Sequence, residues 1–208
     1  NKKDLRLFLK NYNIGNVKSF FGIKEGIENS NYLINTSNKK FILTIYEKRV
    51  SKKDLPFFIK LMIKLSKENF KCPEPIKSIK GKYINEIKNK PAAIVSFLDG
   101  RSKIDLNPDN CYDVGKQIAQ FHKITNKLSL RRKNALSVNS WKNIFNKVGK
   151  RCAAIEKNLP LKIKQNLIEI KENWPKKLPS GIIHADLFPD NIFFKNNKFS
   201  GFIDFYFS

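Results

Sequence analysis

The stretch that decides the fold is Gly181-Ile-Ile-His-Ala-Asp-Leu-Phe-Pro-Asp-Asn-Ile-Phe-Phe194, followed after a turn at Asn196-Asn197 by Gly201-Phe-Ile-Asp-Phe-Tyr206. Ile192 to Lys195 and Phe199 to Ile203 are short apolar segments of strand length, and the two asparagines between them suit a tight turn. A hairpin built this way folds Asp204 back beside Asn191. Reduced to its polar groups, the stretch reads His184, Asp186, Asn191, Asp204.

That grouping answers the needs of phosphoryl transfer. A base must stand beside the attacking hydroxyl, and Mg2+ takes one or two protein carboxylate or amide oxygens plus phosphate and water. The spacing places Asp186 to orient or deprotonate an acceptor hydroxyl, and Asn191 and Asp204 to ligate the metal. This is the arrangement of a kinase catalytic loop: an Asp, an Asn five residues later, and a metal-binding Asp beyond a short hairpin. His184 suits a loop-supporting role better than that of a base. Taken singly, each residue has a plain structural explanation, as a cap, a turn or a lysine partner. The combination, flanked by apolar strands, is what carries the chemistry.

Upstream, Asp4 to Asn11 has helical spacing. Val17 to Lys24, Asn29 to Asn35 and Lys40 to Glu47 then read as an antiparallel meander. Asp54 is placed to cap a helix from Leu55 to about Asn69, with Phe58, Leu61, Met62 and Leu65 on its buried stripe. Two short strands are expected to pair around Lys80-Gly81-Lys82, and Ala92 to Leu98 reads as a strand buried on both faces. Beyond Asp99-Gly100 the pattern turns helical, over Asp109 to Asn126, Ser140 to about Asn158 and Leu161 to Trp174. Short strands return from Ile182-Ile183 onward. The expectation is an α+β, two-lobed protein-kinase-like fold. Residues 1–98 form an antiparallel-sheet, nucleotide-binding lobe, and residues 99–208 a partial, mainly helical lobe with the catalytic loop and metal hairpin. Asn1 in place of Met and the abrupt apolar end at Phe205 to Ser208 read as a C-terminally truncated fragment.

In front of such a loop, the Phe21 to Tyr32 hairpin becomes the cover over the ATP phosphates. Gly22 and Gly26 permit close backbone approach, and Asn29, Ser30 and Asn31 offer donors. Ser96, Phe97 and Leu98 form the hinge whose backbone meets adenine. The expected cofactors are therefore ATP and Mg2+. One part is absent: Thr44 stands where a phosphate-binding cation is usual on the third strand, and the next helix carries no acid between Asp54 and Glu68 to pair with one. Lys24, Lys48 and Arg49 are the nearby cations.

The chain has 208 residues and a formal net charge of +23, from 41 Lys and Arg against 18 Asp and Glu. Nucleic-acid binding would explain such a charge. However, the lysines far outnumber the arginines and are dispersed, whereas phosphate and base readers favour Arg. The abundance of Lys, Asn, Ile and Phe points instead to an AT-rich coding sequence. No apolar run approaches membrane-spanning length. Cys72, Cys111 and Cys152 show no ligand or disulfide spacing and suit a reducing cytoplasm.

His184-Ala-Asp-Leu-Phe-Pro-Asp-Asn191 with Ile203-Asp-Phe-Tyr206 resembles the homoserine kinases of the aminoglycoside-phosphotransferase-like superfamily. So do Gly26-Ile-Glu-Asn-Ser-Asn-Tyr32, Phe41-Ile-Leu-Thr44, Asp54-Leu-Pro-Phe-Phe58, Phe97-Leu-Asp-Gly-Arg101 and the helix with Gly115 and Phe121-His122. The His-x-Asp-x4-Asn pattern identifies only the superfamily; Asn29-Ser-Asn31, Asp54 to Phe58 and Asp204-Phe-Tyr206 are narrower. Thr44 departs from the superfamily but fits these kinases. The resemblance implies ATP-dependent phosphorylation of the L-homoserine hydroxyl, a step toward threonine. It also implies further C-terminal helices, so the fragment alone is expected to be poorly active and to expose apolar surface. The competing expectations are a sibling kinase for an aminoglycoside, choline or methylthioribose, and a nucleic-acid-binding or inactive kinase-fold module. The chain's shortage of acids speaks against an aminoglycoside pocket.

Overall fold

A computed structural model describes residues 2–23, 29–47 and 50–208. Two compact units result: Asn1–Arg131 together with Gly181–Ser208, and Arg132–Ser180.

The first unit opens with α1 (Lys2–Leu9) and the meander β1 (Val17–Ile23), β2 (Asn29–Thr36) and β3 (Lys40–Tyr46). Next come α2 (Leu55–Lys67), β4 (Pro75–Ile76), β5 (Ile84–Ile87), β6 (Lys90–Ser96) and β7 (Arg101–Ser102). The sheet order is β1-β2-β3-β6-β4, with β5 also on β6. Every pairing is antiparallel.

The two-residue period of β3 and β6 builds two cores from one sheet. Phe41, Leu43, Ile45, Ala92 and Ile94 meet Leu5, Phe8, Leu9 and Tyr12 of the α1 region. Tyr46, Ala93 and Val95 face the opposite way, against Leu55, Phe58, Leu61, Met62 and Leu65 of α2. This second core continues through Phe70 into α3 (Pro108–Thr125) and the hairpin of β8 (Ile192–Lys195) and β9 (Lys198–Phe202). Phe121 of α3 stacks on Phe205 at 6.2 Å, and Phe202 lies 5.7 Å from Phe70. Aromatic packing thus anchors the hairpin to the helices on either side.

Two glycines set how closely the hairpin approaches its neighbours. A Cβ on Gly201 (φ +156°) would lie 2.6 Å from the Lys71 carbonyl oxygen, which instead accepts the Phe202 amide at 3.1 Å. A Cβ on Gly100 (φ +115°) would lie 2.7 Å from the Phe194 carbonyl oxygen. Asn196 and Asn197, at φ 51° and 61°, form the turn between β8 and β9, using the left-handed tolerance of Asn.

Several sequence expectations shift. The Asp54 side chain makes no capping bond to α2; α3 instead carries a full capping box, with Asn107 and Asn110 bonding each other's amides. The segment at Lys80 to Lys82 is a loop turn, and the hairpin lies later, where Lys88 and Asn89 adopt positive φ between β5 and β6. Ile182-Ile183 is not a strand. In the second unit, α4 (Val138–Cys152) ends earlier than its apolar spacing suggests, and α5 (Leu159–Asn173) follows. Trp141 and Trp174 meet edge to face at 5.6 Å within this unit. Yet α5 has no buried residue, and Ile144, Val148, Leu161 and Ile168 remain exposed.

In the full-length protein, Gly201→Ala is expected to cost about 2–4 kcal/mol of unfolding free energy through backbone collision. Gly115→Ala, in open space on α3, is expected to gain about 0.5–1 kcal/mol. Urea denaturation followed by circular dichroism measures both, and equal effects would remove the Gly201 approach as a constraint.

Candidate active site

The segment from His184 to Asp204 closes on itself through the peptide of Ile203. Its amide donates to the Asn191 carbonyl oxygen at 3.0 Å. Its own carbonyl lies 2.8 Å from His184 Nε2. A carbonyl can only accept, so Nε2 carries the proton and Nδ1 does not. His184 is 2% exposed, its ring 4.8 Å from that of Phe205, and among the described residues Nδ1 has no hydrogen-bond partner. Burial holds its pKa below the usual 6.5, against the opposing pull of the Ile203 bond and the Asp186 charge. His184 is thus a neutral, buried strut.

Asn191 ends a single 3-10 turn, Pro189–Asn191, that Pro189 starts at its favoured position. Its Nδ2 donates to the Asp186 carbonyl oxygen at 2.8 Å and to Asp186 Oδ2 at 3.1 Å. Both partners are acceptors, so the amide orientation is fixed and Oδ1 remains as an acceptor directed away from Asp186. Asp204 directly follows Ile203, at φ +60°, with Oδ1 withdrawn from solvent. Ala185 is also left-handed, at φ +65°. A left-handed non-glycine residue at each end of the loop marks backbone strain of the kind that collects at functional sites.

The donor set suits a hard cation. Asn191 and Asp204 offer one amide oxygen and one carboxylate, leaving other positions for phosphate and water, as Mg2+ prefers. Among the described residues, no group of three or more His, Cys, Asp or Glu forms a self-sufficient metal cage.

Strand alternation sorts the expected phosphate-loop residues. Asn31 pairs with Thr44 in register, and its Oδ1 accepts the Thr44 hydroxyl at 2.9 Å. Ser30 points to the opposite face, where it donates to Glu47 Oε1 at 2.9 Å, and Gly22 lines the same outer groove. Asn29 Oδ1 accepts the Glu47 amide at 3.4 Å. Gly26, Lys24, Lys48 and Arg49 lie outside the described residues.

The expected hinge is also differentiated. The Ser96 amide is committed to Glu74 O at 2.8 Å and the Phe97 amide to Lys40 O at 3.2 Å. Among the described residues, the Leu98 amide makes no backbone hydrogen bond, so it alone of the three can serve a ligand.

Sequence reasoning missed two tyrosines. Tyr46 and Tyr206 meet through their hydroxyls at 2.9 Å, beside Thr44 and Asp204. The signal available was a Tyr on β3 two residues beyond Thr44, hence on the same face.

Residues 21–208 match the phosphotransferase enzyme family. A homoserine kinase of Bartonella tribocorum is 46% identical over 205 residues, which is 99% of this chain and 64% of that protein. One from Brucella anthropi is 44% identical over 208 residues, with 100% and 64% covered. This chain therefore spans about 64% of the length of the curated relatives it matches. Amicoumacin kinase, solved in complex with AMP-PNP, Ca2+ and Ami, superposes with a TM-score of 0.74. At 17% identity over 98% of this chain and 63% of that one, it shares the fold, an antiparallel sheet with helices.

Because the pKa of His184 is lowered on folding, its contribution to stability is complete above pH 6.5 and is lost as pH falls through the folded value. His184→Gln keeps a donor for Ile203 but cannot be protonated. Thermal melts of the full-length protein should therefore lose this part of the decline below pH 6.5. An unchanged pH profile would contradict the buried neutral imidazole.

Proposed function

The chain belongs to the phosphotransferase enzyme family, and from that premise we propose that the protein phosphorylates the side-chain hydroxyl of L-homoserine with ATP. The observation that carries the reaction class is the double hydrogen bond from the Asn191 amide to Asp186, at the foot of the hairpin that returns Asp204. It fixes the Asp186 carboxylate and leaves Asn191 Oδ1 for a cation.

In this reading, the homoserine hydroxyl attacks the γ-phosphorus in line. The bond from that phosphorus to the bridging oxygen breaks and ADP departs. Asp186 orients the hydroxyl and takes its proton. Asn191 and Asp204 would hold Mg2+, which when bound would supply charge neutralisation for the phosphate oxygens. His184 supports the loop without touching the reacting atoms. Asn31, on the face of Thr44, covers the triphosphate with Asn29 beside it, while Ser30 and Gly22 lie on the outer face of the strands. Leu98 offers its amide to adenine, with Ser96 and Phe97 shaping the hinge. Residues 1–98 then act as the nucleotide-binding lobe, and residues 99–208 bring the catalytic loop and metal hairpin.

The choice of homoserine rests on relatives 43–46% identical over nearly the whole chain that bear that name. The acid-poor composition argues against a polycationic acceptor. The compartment we assign is the cytoplasm, where ATP is available. The cysteines are unpaired, and burial pushes the Cys72 thiol up to about 12, which makes it inert.

A coupled ADP-release assay on the full-length protein, with homoserine, choline, methylthioribose and an aminoglycoside as acceptors, checks the reading. Homoserine should give the highest kcat/KM, and Asp186→Ala should lower kcat by about 10²–10⁴-fold. Turnover with an amino sugar but none with homoserine would overturn the substrate; an undiminished Asp186→Ala variant would overturn the role of Asp186.

A further inference from the structure

The segment from Ser96 to Gly100 is held on both sides of Leu98. On the sheet side, the Ser96 amide donates to the Glu74 carbonyl oxygen and the Ser96 hydroxyl accepts the Glu74 amide, both at 2.8 Å. The Phe97 amide donates to the Lys40 carbonyl oxygen at 3.2 Å, and the Lys40 ammonium lies 5.5 Å from the Phe97 ring centre. On the other side, the chain is seated on the β8–β9 hairpin. The Ser200 hydroxyl donates to the Asp99 carbonyl oxygen. Lys195 pairs with the Asp99 carboxylate at 2.7 Å. Gly100 lies so close that a Cβ there would stand 2.7 Å from the Phe194 carbonyl oxygen and 3.3 Å from Ser200 Cβ. Leu98 packs on Gly201, where a Cβ would stand 2.8 Å from Leu98 Cδ2.

The hairpin can act as a seat because β9 is itself held. It pairs with β8. Lys71, just past α2, accepts the Phe202 amide on its carbonyl oxygen and donates its ammonium to the Phe199 carbonyl oxygen, each at 3.1 Å. Phe199 and Phe202 are buried in the aromatic core. One strand, Lys198–Phe202, therefore carries the hinge on Ser200 and Gly201 and runs on into Ile203 and Asp204. The two polar links to Asp99 are unequal. The Lys195 and Asp99 side chains are 56% and 62% exposed, and an ion pair in water contributes little. Ser200 is half-buried, and its bond fixes the Asp99–Gly100 peptide, one residue beyond Leu98.

We propose that Ser200 is a positioning residue for the adenine end of the nucleotide. By holding the Asp99–Gly100 peptide on β9, it sets where Leu98, the hinge residue with the uncommitted amide, meets the base. The same strand leads to Asp204, so a single rigid element sets the span from hinge to metal turn. Ser200 acts through Asp99 and Leu98, not by contact with the base. A hinge ordered in advance raises affinity, because binding then no longer bears the cost of ordering it. The inference rests on the nucleotide reading above and is independent of the choice of homoserine.

The test uses the full-length protein with Ser200→Ala, which removes the hydroxyl, Ser200→Thr, which keeps one, and Lys195→Met, which breaks only the exposed ion pair. Calorimetry reads affinity for Mg2+–ADP and for Mg2+–tripolyphosphate, a ligand without a base. The coupled assay reads KM for ATP, KM for homoserine and kcat. Ser200→Ala should bind Mg2+–ADP about 3–10-fold more weakly and raise KM for ATP by a similar factor. Its tripolyphosphate affinity, homoserine KM and kcat at saturating ATP should stay within about twofold of wild type. Ser200→Thr should restore ADP affinity to within about twofold, and Lys195→Met should leave it within the same range. Lower thermal stability of Ser200→Ala with unchanged ADP affinity would overturn the proposal and leave Ser200 a structural residue. Equal weakening of ADP and tripolyphosphate would overturn the assignment to the adenine end. A Lys195→Met loss as large as that of Ser200→Ala would overturn the hydroxyl as the holding group. If wild type binds Mg2+–ADP but does not phosphorylate homoserine, the substrate reading fails, and the binding arm still decides this inference. If wild type binds no Mg2+–ADP, the nucleotide reading fails and this inference falls with it.

Discussion

The site depends on one peptide unit. Ile203 gives its amide to Asn191 and its carbonyl to His184, and so ties the start and the end of the loop to the residue just before Asp204. Without that pair of bonds, Asp186, Asn191 and Asp204 would be three polar residues on a mobile surface segment. With it, they share one fixed frame. The frame is rigid because it sits in the aromatic core: Phe202, Phe205 and the His184 ring pack together, and Phe121 and Phe70 hold them to α3 and to the end of α2. Packing energy from that core sustains the left-handed backbone at Ala185 and Asp204.

Much of this could be read in the sequence, for identifiable reasons. The hairpin around Asn196-Asn197 was legible because turn and strand signals are local. The meander β1 to β3 was legible because alternation has a period of two. The buried stripe of α2 followed from Phe58, Leu61, Met62 and Leu65 at helical spacing. Boundaries shifted where competing signals overlap. Lys80-Gly81-Lys82 offers a glycine turn, but the pairing that won uses Lys88-Asn89, because Ile84 to Ile87 can then complete the ladder on β6. Helix α4 stops at Cys152 although Ile155 would continue its apolar spacing, and Ile155 is left exposed.

Side-chain partnerships were the least legible part. The sequence shows Asn29-Ser-Asn31 as three adjacent donors, but strand geometry sends Ser30 to the outer face with Glu47 and Asn31 to the inner face with Thr44. It shows an absent cation at Thr44 without showing what fills the space. Tyr46 and Tyr206 are 160 residues apart in the chain, and no local pattern links them. Only the three-dimensional closure of the hairpin onto β3 brings the two hydroxyls together. The absence of an acid in α2 fits the neutral Thr44 on β3: among the described residues no cation stands at that position to pair with a buried carboxylate.

The central claim is that Asn191 and Asp204 together form the cation site and Asp186 stands beside it. A crystal structure of the full-length protein with Mg2+ and AMP-PNP tests this most directly. The account predicts metal-oxygen distances of about 2.0–2.1 Å to Asn191 Oδ1 and to an Asp204 carboxylate oxygen. Asp186 should lie outside the coordination sphere, still bonded to the Asn191 amide. A metal held by other residues, or an Asn191 amide turned so that its nitrogen faces the phosphates, would contradict it.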